Sequence, residues 1–473
     1  MLPRFKDSKQ KIFNLFLRPT LAWKVIFSLI CFLSLCLVAG LGKVLIVLFP
    51  TCSFVVGVYL YLRAPALYVG FVFWMWFLSP LIRRLIDYQS SYLTPGPWTF
   101  TALVVTFISF YTFLLELPKT NQKNNLPFIL CFVALFYGLL TGLVQNPLDQ
   151  AIVNFLSFLS PLSFGFHLYV NWKYYPQYRQ VIQQSFLWGI LTMGLYGILQ
   201  FCTAPLWDQF WLNNAPSTSS FGVPEPFGIR VMSTMSSPQA FATTMMAGLI
   251  LLSSNQKTVL FLPATVLGYL TFLLSQARAA WLSWGTGLFA FITSSKLSTQ
   301  VKAIAGIALI VLIVLPLINQ EPFSDIILSR FESLSNTEND ISLNARSWAY
   351  QNLFDLAITE VVGKGLGFNI NLPGFGNRDS TILPVLFVFG WVGATPLMCG
   401  ICLLFFKMLH GKTNKSDTFS VAARGICLGV LTQIGFNSIF ESLIGVIFWS
   451  FIGIYLAGQR YYLLKSKSLY KNE

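Results

Sequence analysis

Arginine and lysine are distributed differently along this 473-residue chain, and arginine is the better instrument for holding an anion. Seven of the 13 arginines are Arg83, Arg84, Arg230, Arg278, Arg330, Arg346 and Arg378, at the edges of apolar runs or in long polar connections. The guanidinium is a planar fork that keeps its charge and meets phosphate or carboxylate oxygens two at a time, whereas lysine offers a single point charge. Each has a plain alternative, since an arginine at a membrane edge also snorkels or pairs with an acid. Arg83 has Asp87 four residues on, one helical turn away, and Arg330 has Glu332 close by. Arg278 differs: it sits in Ser275-Gln276-Ala277-Arg278-Ala279-Ala280-Trp281, between two apolar runs, with no acid within ten residues. A charge so placed is a functional hypothesis by default.

The elements that must position these residues follow from composition. Hydrophobic residues make up 55% of the chain and charged residues 10%, with a mean hydropathy of +0.65. A soluble domain carries roughly 25% charged residues, so most of this surface faces lipid. In lipid every backbone donor and acceptor needs an internal partner, which leaves helices or closed barrels, and long unbroken apolar runs select helices. The expected fold is all-α, a polytopic transmembrane bundle of about 12–14 helices with a large extracytoplasmic loop. Expected spans are 23–40, 44–62, 66–82, 99–117, 127–145, 151–171, 183–205, 239–253, 258–275, 279–294, 302–318, 382–406, 421–440 and 443–460. They divide the chain into a cytoplasmic segment 1–22, helices 23–205, a loop 206–238, helices 239–318, a large loop 319–381 with its own helices near 322–334 and 345–360, helices 382–460, and a tail 461–473. No cleavable signal peptide is expected ahead of the first span.

Basic residues in short loops set the orientation. The N-terminus, Lys119, Lys123, Lys173, Arg179, Lys257, Lys296, Lys302, Lys407, Lys412, Lys415, Arg424 and the tail lysines share one side, which is the cytoplasm of a bacterial inner membrane. Both long loops then lie outside, and both termini inside. Of 18 lysines only Lys43 and Lys364 fall outside, against the seven arginines named above. Topology treats the two residues alike, so the split asks for a ligand: an anion presented from the bilayer, for which a polyprenyl diphosphate is apt. The net charge of +14 does not imply nucleic acid, because membrane spans interrupt the positive residues; lipid head groups and phosphate-bearing ligands account for it. The eight cysteines, including Cys399-x-x-Cys402, read as apolar packing in helices, not as a redox motif.

Several ordered pieces resemble the O-antigen ligase and O-antigen polymerase family of bacterial membrane glycosyltransferases. They are Arg230-Val231-Met232-Ser233-Thr234-Met235 with Ser237-Pro238, Ser275 to Trp281, Arg330-Phe331-Glu332-Ser333-Leu334, Asp340-Ile341-Ser342 with Arg346-Ser347-Trp348, and Gly363-Lys364-Gly365-Leu366-Gly367. The likeness spans roughly 225–460. It implies transfer of a glycan from undecaprenyl diphosphate to a lipid or glycan acceptor, with membrane lipids as surroundings and no metal or other cofactor. By the same resemblance Arg230 and Arg278 hold the diphosphate, with Arg346 or Arg330 assisting; Arg83 and Arg84 join the expected ligand set through their outer position.

The base is where the chain departs from the family. Ligases carry a histidine before the next helix; here Asp379 stands at that place in Asp379-Ser380-Thr381-Ile382-Leu383, ahead of Gly390-Trp391-Val392-Gly393. Asp379 is the expected catalytic base, and its alternative is a cap for the helix that follows. His167 and His410 fall at the cytoplasmic ends of spans. Glu441 reads as a partner for a loop arginine, with catalysis as its alternative. The glycine triplet 363–367 reads as a flexible turn near the site, lacking the strand and wider spacing of a dinucleotide fingerprint. Trp207, Trp211 and Phe221 offer faces on which sugars can stack. The competing function is a transporter of a small anion, such as inorganic carbon, which would show broken helices and ionisable residues near the membrane midplane.

Overall fold

The computed structural model describes residues 21–92, 97–116, 122–215, 220–254, 259–318, 321, 341–370, 372–411 and 415–470. Arg330 and the expected helix at 322–334 lie outside them. The described residues form an all-α bundle with no sheet.

Its helices are α1 (Leu21–Val38), α2 (Gly42–Arg63), α3 (Pro65–Gln89), α4 (Thr101–Phe107), α5 (Phe110–Glu116), α6 (Gln122–Gln145), α7 (Leu148–Val170), α8 (Tyr175–Thr203) and α9 (Leu206–Asn214). They continue as α10 (Pro238–Ser254), α11 (Phe261–Leu274), α12 (Arg278–Ser294), α13 (Leu297–Ile318), α14 (Ile341–Thr359), α15 (Ile382–His410), α16 (Thr418–Leu431) and α17 (Ser442–Tyr470). Thirteen of the fourteen expected spans coincide with a helix or a pair of helices, and 421–440 does so only as far as Leu431. Eight helices among the described residues are long and apolar enough to cross a membrane, and this is a multi-pass membrane protein.

Three spans depart from the pattern expected of them. The run 99–117 breaks at Ile108 and Ser109 into α4 and α5, where Ser109 Oγ donates to Thr106 O at 2.6 Å and competes with the helical ladder. The run 421–440 ends its helix at Leu431 and continues as an irregular segment to Glu441. α15 is interrupted at Gly390, whose φ of 54° and ψ of −173° are closed to side-chain-bearing residues. The connection 206–238 also holds a helix, α9, that its polar composition concealed.

Small residues let the longest helices approach closely. α7 and α17 meet at Gly165 and Gly453, where a Cβ on either would collide with the other's backbone. α12 and α16 meet at Gly287, Gly425 and Gly429. The bundle has two distinct ends. At one, Asp417 caps α16 and also accepts from Tyr175 Oη at 2.5 Å, Arg179 at 3.0 Å and Tyr462 Oη at 3.0 Å, tying α8 and α17 to α16. His167, in the last turn of α7, sits at this same end against Thr112 and Tyr178. The other end carries the connections after α8 and before α15, and is called the loop end here. Cys399 and Cys402 are exposed on α15 as free thiols, so they face outward instead of filling the core.

Candidate functional site at the loop end

The segment that leads into α10 is built to hold Arg230. Gly222 and Ile229 pair as an isolated bridge, and Arg230 N–H donates to Phe221 O at 2.8 Å. The Arg230 fork then divides, Nη1 donating to Ser220 O at 3.0 Å and Nη2 to Gln276 O at 3.1 Å. Val231 N–H donates to Leu274 O at 3.2 Å. These contacts bring Arg230 against the break between α11 and α12, two residues from Arg278, which opens α12 and is half-buried. The break is made by Gln276 at φ 54° and by Ser275 Oγ, which accepts from Ala277 N–H at 3.4 Å. α10 starts with the sequence its position demands: Pro238 at the first helical position, and Ser237 Oγ accepting from Ala240 N–H at 3.2 Å.

Arg83 and Arg84 are placed elsewhere, in a knot of their own. Arg83 pairs with Asp87 at 3.3 Å and lies over the Trp211 ring. Arg84 is buried and makes an ion pair with Asp208 at 2.8 Å, while its Nη2 donates to Ser233 O. Asp208 accepts in addition from Tyr196 Oη at 2.9 Å and Gln200 Nε2 at 2.8 Å, and Gln200 Oε1 receives the N–H groups of Met232 and Ser233. Arg84 is therefore spent on shaping the 230–236 segment. It leaves the expected ligand set, because its guanidinium is buried and its charge is paired with the buried Asp208. Trp211 is buried and packs edge-on against the half-buried Phe221, so Trp211 does not present the open face expected for stacking on a sugar.

The third group gathers where α14 meets α15. Arg346 contacts Asp379 Oδ1 at 3.4 Å, and Asp379 Oδ2 accepts from Gly376 N–H at 2.9 Å. Asp379 does not cap α15: Ile382 N–H goes to Ser380 Oγ at 3.1 Å, and Asp379 closes its own turn. Ser438 N–H donates to Arg378 O at 3.1 Å, which brings Arg378 toward Glu441. The Glu441 carboxyl is raised above its ordinary pKa by desolvation; the charge of Arg378 and a hydrogen bond from Ser438 oppose the rise.

The irregular segment 432–441 joins these groups. Thr432 Oγ1 lies 3.1 Å from Ser283 Oγ of α12, the helix that Arg278 opens. Gln433 Oε1 receives Gln239 Nε2 of α10 at 2.9 Å and Asn437 Nδ2 at 3.2 Å. Thr381 N–H donates to Ile434 O at 2.9 Å, and Thr381 Oγ1 to Asn437 O at 2.5 Å. The loop end thus links Arg230 and Arg278 on one side to Arg346, Arg378, Asp379 and Glu441 on the other.

Backbone strain concentrates here as well. Among the described residues the non-glycine positions with positive φ are Ala204, Phe227, Ser233, Gln276 and Ser442, all at the loop end and four of them within three residues of Arg230, Arg278 or Glu441. Each costs about 1–3 kcal/mol and persists only where its surroundings enforce it, a pattern typical of binding sites. The glycine triplet is no flexible turn. Gly363 and Gly365, at φ 83° and 74°, are pressed against Gly390 of α15 and Gly142 of α6, where any Cβ would overlap backbone.

Compared with known proteins, the chain matches no family model and no curated relative.

Proposed function

We propose that this protein is a membrane glycosyltransferase that moves a glycan from a polyprenyl diphosphate carrier to a hydroxyl acceptor, as a polymerase or ligase of surface polysaccharide. One observation carries the reading: Arg230, remote in sequence, donates to Gln276 O at the α11–α12 break, two residues before Arg278 opens α12. Two arginines placed at one strained break are suited to a doubly charged ligand. The loop end is then the extracytoplasmic end, where a carrier's diphosphate sits at head-group depth and its chain stays in lipid.

In this reading Arg230 and Arg278 neutralise the charge that develops on the diphosphate as the bond from the sugar's anomeric carbon to the phosphate oxygen breaks. The acceptor oxygen forms the new glycosidic bond, and its proton passes to a carboxylate. Glu441 is better suited to take that proton than Asp379, the residue placed at the family's histidine position. Desolvation lifts its pKa, and the two Asp379 oxygens are committed to Arg346 and to Gly376 N–H. Arg346 and Arg378 assist from the α14–α15 side.

The test is a glycan profile of a deletion strain complemented with Arg278→Ala. Loss of surface glycan with normal protein in the membrane is expected, and full glycan assembly in this variant overturns the reading. Shortened chains identify a polymerase, and full-length chains stranded on the carrier identify a ligase.

A second reading, a transporter of a small anion, draws on the interruption of α15 at Gly390 and on the Glu360–Lys364 pair packed beside it at 3.5 Å. Anion uptake by proteoliposomes that is lost in Lys364→Met and kept in Arg278→Ala would favour it.

A further inference from the structure

We propose that the element formed by α14 and residues 360–367 is re-entrant: it enters the bilayer from the loop end, turns among lipid chains, and returns to the same side. This inference stands apart from the glycan-transfer reading and would survive its failure.

The path is fixed by contacts with two membrane-spanning helices. α14 starts level with the top of α15, where Arg346 meets Asp379 and Tyr350 Oη lies 2.7 Å from Ser380 Oγ. It then descends beside α15. Trp391 Nε1 donates to Ile358 O at 2.6 Å, Trp391 N–H to Glu360 O at 3.1 Å, and Val392 N–H to Val361 O at 3.1 Å. Trp391 is nine residues below Ile382, so the turn lies about 13 Å along α15 from its loop end, at 1.5 Å per residue. The chain climbs back by way of Lys364 N–H to Phe387 O at 2.7 Å and Leu366 N–H to Gly138 O at 2.8 Å. Gly138 is seven residues below Gln145, about 10 Å inside α6.

Three features match what lipid requires. The first is backbone satisfaction. Irregular backbone at membrane depth persists only when its polar groups are paired. Here Val362 O receives Tyr137 Oη at 2.8 Å, Gly363 O receives Gln145 Nε2 at 3.3 Å, and Lys364 O receives Asn146 Nδ2 at 2.6 Å. The second is charge. Glu360 and Lys364, the two charges inside the turn, pair with each other, and the Lys364 ammonium also lies over the Phe368 and Phe387 rings at 4.7 and 5.2 Å, whereas the exposed Asp355 lies on α14 above the turn. The third is the outward surface. Leu356, Ile358, Val361 and Val362 are exposed, and they continue the exposed Trp391 and Val392 of α15 at the same level. Because α15 crosses the membrane, its outward side chains there face acyl chains, and their hydrogen-bonded neighbours share that environment. A cavity of about 260 Å³, lined by Leu353, Glu360, Lys364, Phe368 and Phe387, opens beside the turn.

The experiment places single cysteines in the full chain, in a background with the native cysteines replaced by serine, reconstituted in phospholipid vesicles. Ser347→Cys reports the top of α14, and Leu356→Cys and Ile358→Cys report the turn. A charged maleimide should label Ser347→Cys at least tenfold faster than the other two. Nitroxide labels attached in detergent at Leu356→Cys and Ile358→Cys should then show, once in vesicles, greater access to dissolved oxygen than to a water-soluble nickel chelate. Equal maleimide rates at all three positions overturn the proposal. So does a nitroxide at the turn screened from oxygen and nickel alike, which would mean that protein, not lipid, covers this face.

Discussion

Replacing Arg84 by methionine separates a structural arginine from a ligand-binding one. Methionine keeps most of the side chain's length and removes the fork. Asp208 would remain buried, still accepting from Tyr196 and Gln200 but without its counter-ion, and Ser233 O would lose its Arg84 donor. Breaking a buried ion pair from one side costs about 3–5 kcal/mol. Two donors stay on the carboxylate, so the lower end, about 3 kcal/mol, applies. The cost also falls on Ser233, whose φ of 52° this knot holds. For a chain of this size 3 kcal/mol lowers the thermal midpoint by only a few degrees, so the assay is a melting curve of purified protein in detergent, read by loss of the monodisperse gel-filtration peak. Arg84→Met/Asp208→Leu removes both charges and should recover most of the loss, a coupling of about 1–3 kcal/mol. A wild-type midpoint in Arg84→Met, together with lost activity, would refute this reasoning and return Arg84 to the ligand set.

Two other perturbations probe the site and its frame. Gly365→Ala should cost more than about 2 kcal/mol, because the left-handed φ and the contact with Gly142 backbone both resist a Cβ; the yield of folded protein measures it, and a normal yield contradicts the close-packed path of 360–367. Glu441→Gln should lower turnover without lowering stability. A carboxyl whose folded pKa is raised destabilises the fold above that pKa, and the penalty is relieved as pH falls through it; the amide removes the penalty. Turnover in the wild type should rise with pH through a value above the ordinary carboxylate range, and a pH-independent rate would remove Glu441 as the base.

Much of the bundle was legible because lipid leaves the backbone little choice: a long apolar run must be a helix, and its ends are marked by Lys, Arg and polar residues. Arg83 with Asp87 was legible for a similar reason, being one turn apart on a single helix. Arg84 with Asp208 was not, since only the meeting of α3 and α9 makes the pair, and α9 itself was hidden in a polar connection. The same limit applies to Asp379. Its place before a helix suggested a catalytic base or, as the alternative, a cap; Ile382 N–H goes instead to Ser380 Oγ, and the aspartate faces an arginine from another helix. The glycine triplet 363–367 was misread for a different reason. It is short and rich in glycine, which sequence patterns associate with freedom, whereas here the glycines permit backbone to lie on backbone. Arg230 and Arg278 were picked out by residue type and by the missing acid near Arg278; their adjacency depends on the Arg230–Gln276 hydrogen bond, which no spacing foretells.

The proposed role of the arginines at the α11–α12 break is to hold a lipid-borne diphosphate. Binding of a short polyprenyl diphosphate to the purified protein in nanodiscs, measured against the matching monophosphate, tests it most directly. Saturable binding that prefers the diphosphate, and that weakens at least about tenfold in Arg278→Ala and in Arg230→Ala, each a loss of about 1.4 kcal/mol, is the predicted result. Equal affinity for the two lipids, or binding untouched by either substitution, would contradict it.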